Sequence, residues 1–315
     1  ASGECKRVGP SRIADRPSKG AEVDLLDFEL DDCSVPRSCA SLVDRPLSSG
    51  RPPASMSVTA HAPGSVTPIF VPRDGRSSLG ISFATADGVT ATVESARETL
   101  VYLDGRPAKV APVRGLLERL GVTATVRLDT AVPIGCGFGA SGAATLATAL
   151  ATNERMDLGH DREALLEAAH RAEVEAGTGL GDVFIQERGG LVWDVGDGLT
   201  HATRSTRIEY QSFGGITTAA VLGDEGTVEQ VTAAGRAALS GIDPDGPIAD
   251  LLKASWQFAQ ETVLATDRVA EAVASVRAAG GTATMAMIGE TVVATGAEGG
   301  LDHDTHITPE GAALA

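Results

Sequence analysis

Alternating apolar and polar positions predict strands through most of the chain after residue 56, and apolar stripes with helical spacing predict helices between them. Strands are expected at 57–62, 66–71, 81–85, 89–94, 99–103, 122–128, 191–195, 205–210, 215–222, 282–288 and 291–295. Helices are expected at 112–120, 143–151, 161–176, 227–239 and 247–278, the last one broken near residue 266. Turns are expected at 62–65, 87–88, 104–105 and 289–290, where glycine or proline interrupts the pattern. The mixture predicts an α/β or α+β enzyme.

The segment between the strand at 122–128 and the next helix is rich in glycine: Pro133-Ile134-Gly135-Cys136-Gly137-Phe138-Gly139-Ala140-Ser141-Gly142. Glycine lets backbone N–H groups surround an anion, and the first helical turn adds unpaired N–H groups and the positive end of its dipole. The pattern predicts a phosphate-binding loop; a tight turn chosen for close packing is the alternative. Because the loop matches neither GxxxxGK[ST] nor the Rossmann GxGxxG context, the countercharge must come from backbone dipoles, Mg²⁺ and arginine.

Two acids and a histidine farther along the chain suit such a loop. Glu173 would supply a carboxylate to Mg²⁺ beside the Ser141 hydroxyl, since Mg²⁺ takes few protein oxygens in addition to phosphate oxygens and water. Asp182 closes a second glycine-rich segment and can accept the proton of a substrate hydroxyl, as phosphoryl transfer requires. His170, one turn before Glu173, faces the same direction and would bind an anionic group. A solvated helix acid, a turn aspartate and a structural histidine are the alternatives for these three residues.

The charge balance narrows the class of partner. The chain has 26 Lys and Arg against 42 Asp and Glu, a formal net charge of −16. Nucleic acid and anionic membranes are therefore not expected as partners, because both need clustered basic residues. Acidic residues dispersed over the surface keep a protein hydrated where salt screens charge, so we expect a high-salt cytoplasm; an acidic solubilising surface in an ordinary cell is the alternative.

Cysteine use and the first residues of the chain bear on the compartment. The four cysteines have no metal-ligand spacing, and three of them lie in the first 40 residues. Residues 1–7 lack the apolar core of a signal peptide, and no apolar run reaches the length of a membrane span. A reducing, cytoplasmic location is expected.

Composition also divides the chain. Residues 1–55 contain six prolines, several serines and no clear period, and their charges nearly cancel, with eight basic residues against nine acidic ones. We expect 1–55 to be a disordered N-terminal extension. We expect 56–205 to form an N-terminal lobe with the phosphate loop, 206–296 to form a C-terminal α+β lobe, and 297–315 to be a loose tail.

Several motifs together resemble one known superfamily. The glycine loop, extended through Ala143-Ala144, resembles the phosphate-binding motif of the GHMP kinases, named for galactokinase, homoserine kinase, mevalonate kinase and phosphomevalonate kinase. Ala62-Pro63-Gly64-Ser65 resembles their first motif, and the segment 169–182, followed by Gly189-Gly190, resembles their segment with a metal-binding glutamate and a basic aspartate. Within the superfamily the chain is most similar to the archaeal pantoate kinase family, on segments 62–67, 80–84, 86–89, 137–142, 172–182 and 285–289.

This resemblance implies an α+β, two-lobed fold with a left-handed βαβ crossover. It implies that ATP and Mg²⁺ serve to phosphorylate the 4-hydroxyl of pantoate in archaeal coenzyme A biosynthesis. By motif position, Ser141 and Glu173 would hold Mg²⁺, Asp182 would be the catalytic base, and His170 and Ser78 would contact the substrate. The implied ATP-binding residues are Pro133, Gly135, Gly137, Phe138, Gly139, Ala140, Ser141 and Gly142.

The sequence departs from the family pattern in one motif and leaves other points open. The third GHMP motif is usually rich in glycine, whereas 280–287 keeps only Gly280-Gly281. A homoserine or mevalonate kinase is the nearest alternative, and a nucleotide-binding regulator without turnover is another, although Ser141, Glu173 and Asp182 together argue against it. The oligomeric state is open, a homodimer included. The arginine that would bind the pantoate carboxylate is not fixed by the sequence; the candidates are Arg73, Arg76, Arg97 and Arg204.

Overall fold

The computed structural model describes residues 57–73, 77–215, 225–262 and 264–315. The predicted extension at 1–55 lies outside the described residues, as does most of the strand predicted at 215–222. The strands are β1 (Val58–Pro72), β2 (Ser78–Ser95), β3 (Leu100–Leu103), β4 (Arg106–Pro107), β5 (Ala124–Thr130), β6 (Leu191–Asp194), β7 (Thr200–Ala202), β8 (Thr206–Gly215), β9 (Thr282–Ala286), β10 (Gly289–Thr295), β11 (His303–Ile307) and β12 (Ala313–Leu314). The helices are α1 (Ala111–Arg119), α2 (Ala140–Met156), α3 (Arg162–Ala176), α4 (Asp182–Arg188), α5 (Glu225–Leu239), α6 (Ile248–Gln260) and α7 (Asp267–Ala278). Among the helices in these ranges, none combines the length and apolar character needed to cross a membrane.

One 12-stranded sheet joins the described strands, with the order β4-β3-β5-β2-β11-β8-β10-β9 along its main path. Strand β1 pairs with β2 along most of its length, and β6 also pairs with β2. Strands β3 and β5 are parallel and are connected through α1, which makes a βαβ crossover unit. The sheet runs through both predicted lobes, so the division into two lobes stays a prediction.

Two predicted turns are wrong, because the chain continues through them as β-strand. Segments 62–65 and 87–88 lie opposite each other inside β1 and β2, where the strand register shifts. A Cβ on Gly88 would lie 2.0 Å from the carbonyl oxygen of Ala62. The glycine therefore permits a close approach of two strands at a bulge rather than a reversal of the chain. A third reversal is displaced: it falls at Met287–Ile288, where Ile288 has a φ of +62°, and β10 begins at Gly289.

The expectation of a loose tail at 297–315 is also wrong. Strand β11 lies between β2 and β8 in the sheet, and Ile307 is fully buried there. The residues after β11 also form backbone hydrogen bonds with the rest of the fold: the N–H of Thr308 donates to the carbonyl of Ala84, and the N–H of Ala312 donates to the carbonyl of Gln186 in α4. Strand β11 is short and mostly polar, with Thr305 and Ile307 buried between exposed neighbours, so its local pattern resembles that of a surface segment.

Helix α2 is the buried element that positions the site. It packs on β1 and β2 and against α1, α3 and α4, and almost every residue from Ala140 to Thr152 is buried. The small alanine and glycine residues of α2 allow this close packing. Its buried Thr145 and Thr148 hydroxyls donate to backbone carbonyls one turn earlier. The N-terminus of α2 therefore lies next to Glu173 of α3 and Asp182 of α4.

The predicted boundaries of helix α3 are confirmed. Asp161 caps its first turn by accepting a hydrogen bond from the N–H of Ala164, and Gly177 ends it with a φ of +70°. Helix α4 was not predicted: Asp182 begins a helix instead of closing a loop.

Candidate functional site

A cavity of about 500 Å³ opens where the glycine loop meets α3, α4 and the strands β1, β2 and β6. Many of the predicted site residues line it: Ser78, Gly135, Gly137, Gly139, Ala140, Ser141, His170 and Asp182. Segments far apart in the sequence thus meet at one cavity, on the side where α2 begins.

The glycine loop takes a backbone that other residues adopt only with strain. Gly135, Gly137 and Gly139 have φ values of +72°, +86° and +59°, in the left-handed region. A Cβ on Gly139 would lie 2.1 Å from Ser65 Oγ, and one on Gly137 would lie 2.9 Å from the Ala286 side chain. No side chain caps the first turn of α2, so its backbone N–H groups are available to an anion in the cavity.

Three residues predicted to bind ATP do not line the cavity: Pro133, Phe138 and Gly142. The Phe138 ring is buried and packs on Tyr210, with ring centroids 4.7 Å apart. Its carbonyl accepts the N–H of Ser65 at 2.9 Å. Phe138 therefore packs into the core and connects the glycine loop to β1 and β8.

Glu173 does not line the cavity itself but is hydrogen-bonded to Ser141, which does. It is 2% exposed and accepts hydrogen bonds from the hydroxyls of Ser141 at 3.0 Å, Thr145 at 2.6 Å and Thr178 at 2.8 Å. Burial raises the pKa of Glu173 to about 7, and the three hydroxyls only partly oppose that rise. A nearby cation would stabilise the ionised form of this buried carboxylate.

The Ser141–Glu173 pair suits a divalent cation bound together with phosphate. Both side chains present oxygen, the ligand that Mg²⁺ prefers, and they lie 3.0 Å apart beside the uncapped N-terminus of α2. In the described ranges no group of three or more His, Cys, Asp or Glu side chains could hold a metal ion. The protein would therefore contribute only two oxygens, and phosphate and water would supply the rest.

Asp182 lies at the first turn of α4, directly beside the glycine loop: a Cβ on Gly139 or on Gly142 would lie 3.3 Å from its Cβ. Ser65 Oγ donates to its Oδ1 at 2.8 Å. Burial raises the pKa of Asp182 above its ordinary value, and the Ser65 hydrogen bond opposes the rise. A carboxylate with a raised pKa is a stronger base toward a substrate hydroxyl.

His170 lies one turn before Glu173 on α3 and contacts α4. Its ring packs on Phe184, with centroids 4.9 Å apart, and burial lowers its pKa. Its Nδ1 is buried and has no hydrogen-bond partner within the described part of the chain. The unpartnered nitrogen lets the side chain contribute to a ligand site, although at neutral pH it would act as a polar group rather than as a cation.

Among the candidate arginines, the structure favours Arg73, which lines the cavity. Arg76 lies outside the described residues, and Arg97 does not line the cavity. Arg204 donates to the carbonyl of Pro244 at 2.7 Å and also lies away from the cavity lining.

Arg188 also lines the cavity, and sequence reasoning missed it. It ends α4, and its Nη1 donates to the carbonyl of Phe184 at 3.2 Å. It forms no ion pair in the described ranges, despite the excess of acidic residues in the chain. The available signal was its position just before Gly189-Gly190, but its relation to the cavity depends on α4, which the pattern did not reveal.

Known proteins resemble this chain in sequence. Residues 109–190 match the model of the GHMP kinases N terminal domain. A pantoate kinase of Methanospirillum hungatei is 28% identical over 257 residues, covering 76% of this chain and 87% of the relative. A pantoate kinase of Methanocaldococcus jannaschii is 24% identical, covering 73% of this chain and 90% of the relative.

A solved structure has a similar fold. It is described as a "Phosphotransferase related to CoA biosynthesis pathway" and superposes with a TM-score of 0.72 at 22% identity, covering 82% of this chain and 99% of that chain. The predicted α+β GHMP-kinase fold is confirmed, and so is the resemblance to the pantoate kinases.

Proposed function

We propose that this chain, whose residues 109–190 match the model of the GHMP kinases N terminal domain, transfers the γ-phosphate of ATP to the 4-hydroxyl of (R)-pantoate. The product would be 4-phosphopantoate, an intermediate of coenzyme A synthesis. The observation that carries the proposal is that the glycine loop, Asp182 and Ser141 line one cavity, with Glu173 hydrogen-bonded to Ser141 behind it. The likeness to two pantoate kinases over most of their length supports this acceptor.

The residues divide the proposed reaction between them. Backbone N–H groups of the glycine loop and the first turn of α2 bind the phosphates. Ser141 and Glu173 would hold Mg²⁺, which would neutralise charge on the transferring phosphate when bound. Asp182 accepts the proton of the acceptor hydroxyl as the oxygen attacks the γ-phosphorus, and ADP leaves.

The cavity fits a small hydroxy acid with an apolar body. Aromatic and aliphatic side chains form much of its lining: Phe70, Leu79, Phe184, Ile185, Val192 and Trp193. Such a wall suits the geminal methyl groups of pantoate. Arg188 and Arg73 are the cavity-lining arginines available to its carboxylate, and Arg188 belongs to the helix that Asp182 begins.

An acceptor panel tests the proposal. The purified protein is assayed with ATP and Mg²⁺ against pantoate, homoserine and mevalonate in molar KCl. We expect turnover of pantoate, whereas phosphorylation of homoserine or mevalonate without pantoate would refute the assignment. The Asp182→Asn variant should lose about a thousandfold in kcat while still binding ATP, because only the base is removed. Asp197→Asn, an exposed acid of the β6–β7 loop, is the matched control.

The proposed setting is a high-salt archaeal cytoplasm, supported by the net charge of −16. Salt screens repulsion among like charges, so the midpoint of thermal unfolding should rise with KCl up to molar concentration. A midpoint that does not rise would count against a halophilic origin.

A further inference from the structure

Gln186 connects the phosphate loop to the proposed base. It lies one turn after Asp182 on α4 and is fully buried. Its Nε2 donates to the carbonyl of Gly139 at 2.7 Å and to Ser65 Oγ at 3.4 Å. Ser65 Oγ in turn donates to Asp182 Oδ1 at 2.8 Å. One amide therefore contacts both the residue at the N-cap position of α2, Gly139, and the Ser65 hydroxyl that donates to Asp182.

The glycine loop is shaped to lie directly on this amide. A Cβ on Gly139 would come within 2.9 Å of Gln186 Nε2, and a Cβ on Gly142 would come within 2.8 Å of Gln186 Oε1. Gly139 and Gly142 thus both face the buried Gln186 side chain. Larger residues at these two positions would collide with its amide. The orientation of the amide follows from its partner, because the opposite orientation would place two acceptor oxygens, Oε1 and the Gly139 carbonyl, against each other.

Stability alone does not explain an amide at this position. Gln186 Oε1 is buried and has no hydrogen-bond partner in the described ranges. An unsatisfied buried acceptor is destabilising, and an apolar side chain of similar length would remove that cost. What the amide adds is a pair of donor contacts aimed at Gly139 and Ser65.

The contact with Ser65 determines which carboxylate oxygen of Asp182 accepts a side-chain hydrogen bond. Ser65 Oγ accepts a hydrogen bond from the Gln186 amide, so its own O–H is directed to Asp182 Oδ1. The backbone of Asp182 also forms a hydrogen bond to its carboxylate, and within the described residues no other side chain donates to it. The arrangement leaves Oδ2 for the hydroxyl of the acceptor.

We propose that Gln186 is a positioning residue that acts through Ser65 to orient Asp182 and through Gly139 to hold the start of the phosphate loop. The inference rests on the proposed kinase function for its kinetic consequences. It assigns no direct contact with substrate to Gln186, because the side chain does not line the cavity. The expected signature is therefore a change in the chemical step rather than in binding.

The Gln186→Met variant tests this role, since methionine has a similar length and no donor. We expect kcat for pantoate to fall about tenfold or more while both KM values change less than about threefold, because orientation is lost and the binding groups remain. Gln257→Met, on the exposed face of α6, is the matched control and should behave as the wild type. If the methionine variant does not fold, Gln186→Glu keeps the shape and removes the donor on ionisation.

A pH profile separates orientation from general damage to the fold. Without the Gln186–Ser65 contact, the hydrogen bond to Asp182 weakens and the carboxylate becomes harder to ionise, so the acidic limb of kcat should move to higher pH. The other ionisable groups that line the cavity are His170 from α3, Arg188 from α4, Asp194 from β6 and Arg73 after β1, and Glu173 lies behind Ser141. They remain unchanged in the variant.

A measurement without turnover makes the test independent of the acceptor. The carboxyl of Asp182 is titrated by carbon NMR in the wild type and in the variant, with Asp182→Asn used for assignment. An upward shift in the variant supports the inference even if pantoate is not the substrate, whereas an inert wild type would refute the proposed function alone. An unchanged titration together with wild-type kcat would overturn the role of Gln186.

Discussion

Replacing Glu173 by glutamine should stabilise the metal-free protein at alkaline pH, although it removes a residue of the proposed active site. The carboxyl is 2% exposed, and burial raises its pKa from 4.5 to about 7. Glutamine keeps the shape of the protonated acid and cannot ionise. The variant therefore avoids the cost of a buried charge and can still pair with the surrounding hydroxyls.

The sign and size of the effect follow from proton linkage. Below pH 4.5 the carboxyl of Glu173 is protonated in the folded and unfolded chains, so it carries no ionisation cost. As the pH rises to about 7 the unfolded chain releases the proton first, which lowers the free energy of unfolding of the wild type. One pKa unit corresponds to about 1.4 kcal/mol, so the full loss is about 3 kcal/mol. The advantage of Glu173→Gln should therefore grow between pH 5 and pH 8.

Urea unfolding in molar KCl with EDTA, at pH 5, 6, 7 and 8, measures this difference. Glu163→Gln, an exposed acid in the first turn of α3, is the control and should show no such growth. Mg²⁺ with ATP should then stabilise the wild type more than Glu173→Gln, since a bound cation favours the ionised carboxylate. A gap between Glu173→Gln and wild type that is constant across this pH range would refute the reasoning.

Three further predictions test the loop, the acceptor subsite and the C-terminal strand. Gly139→Ala should lower the free energy of unfolding by about 2 kcal/mol or more in urea, because its φ is +59° and a Cβ has no room, whereas Gly105→Ala, with a φ of +77° and open space, should cost less. Arg188→Gln should raise the KM for pantoate about 10- to 100-fold without changing the KM for ATP, because a charge-assisted contact is lost, and Arg97→Gln should leave both KM values unchanged. Deleting 303–315 should abolish cooperative unfolding by circular dichroism, because the deletion removes a strand from inside the sheet; a folded, active deletion variant would contradict this placement.

Local chemistry made the elements around the site predictable. Helix α3 begins at the Asp161 cap and ends at Gly177, as the capping pattern indicates. The glycine loop between β5 and α2 was also predicted, because its conformation depends on residues that tolerate a positive φ. The break between α6 and α7 follows the same logic, with Thr266 capping the second helix. In each case the signal lies within a few residues of the feature.

Predictions failed where long-range pairing outweighs local pattern. Pro63, Gly64 and Gly88 have the composition of turns, yet they lie in two long strands because the bulged register brings the backbones close. Strand β11 is short and mostly polar, and only its neighbours in the sheet make it an inner strand. Arg188 was missed for a related reason, since its relation to the cavity depends on a short helix between two glycine-rich segments.

The sequence by itself determined the residues that can do the chemistry: a glycine loop, a hydroxyl, two carboxylates and a histidine in a recognisable order. Only the tertiary structure decided their states. It brings Ser141 within 3.0 Å of Glu173, places Ser65 on Asp182, and buries Gln186 between loop and base. The physical reason is desolvation, because the pKa of a carboxyl and the strength of a hydrogen bond depend on what packs around them after folding.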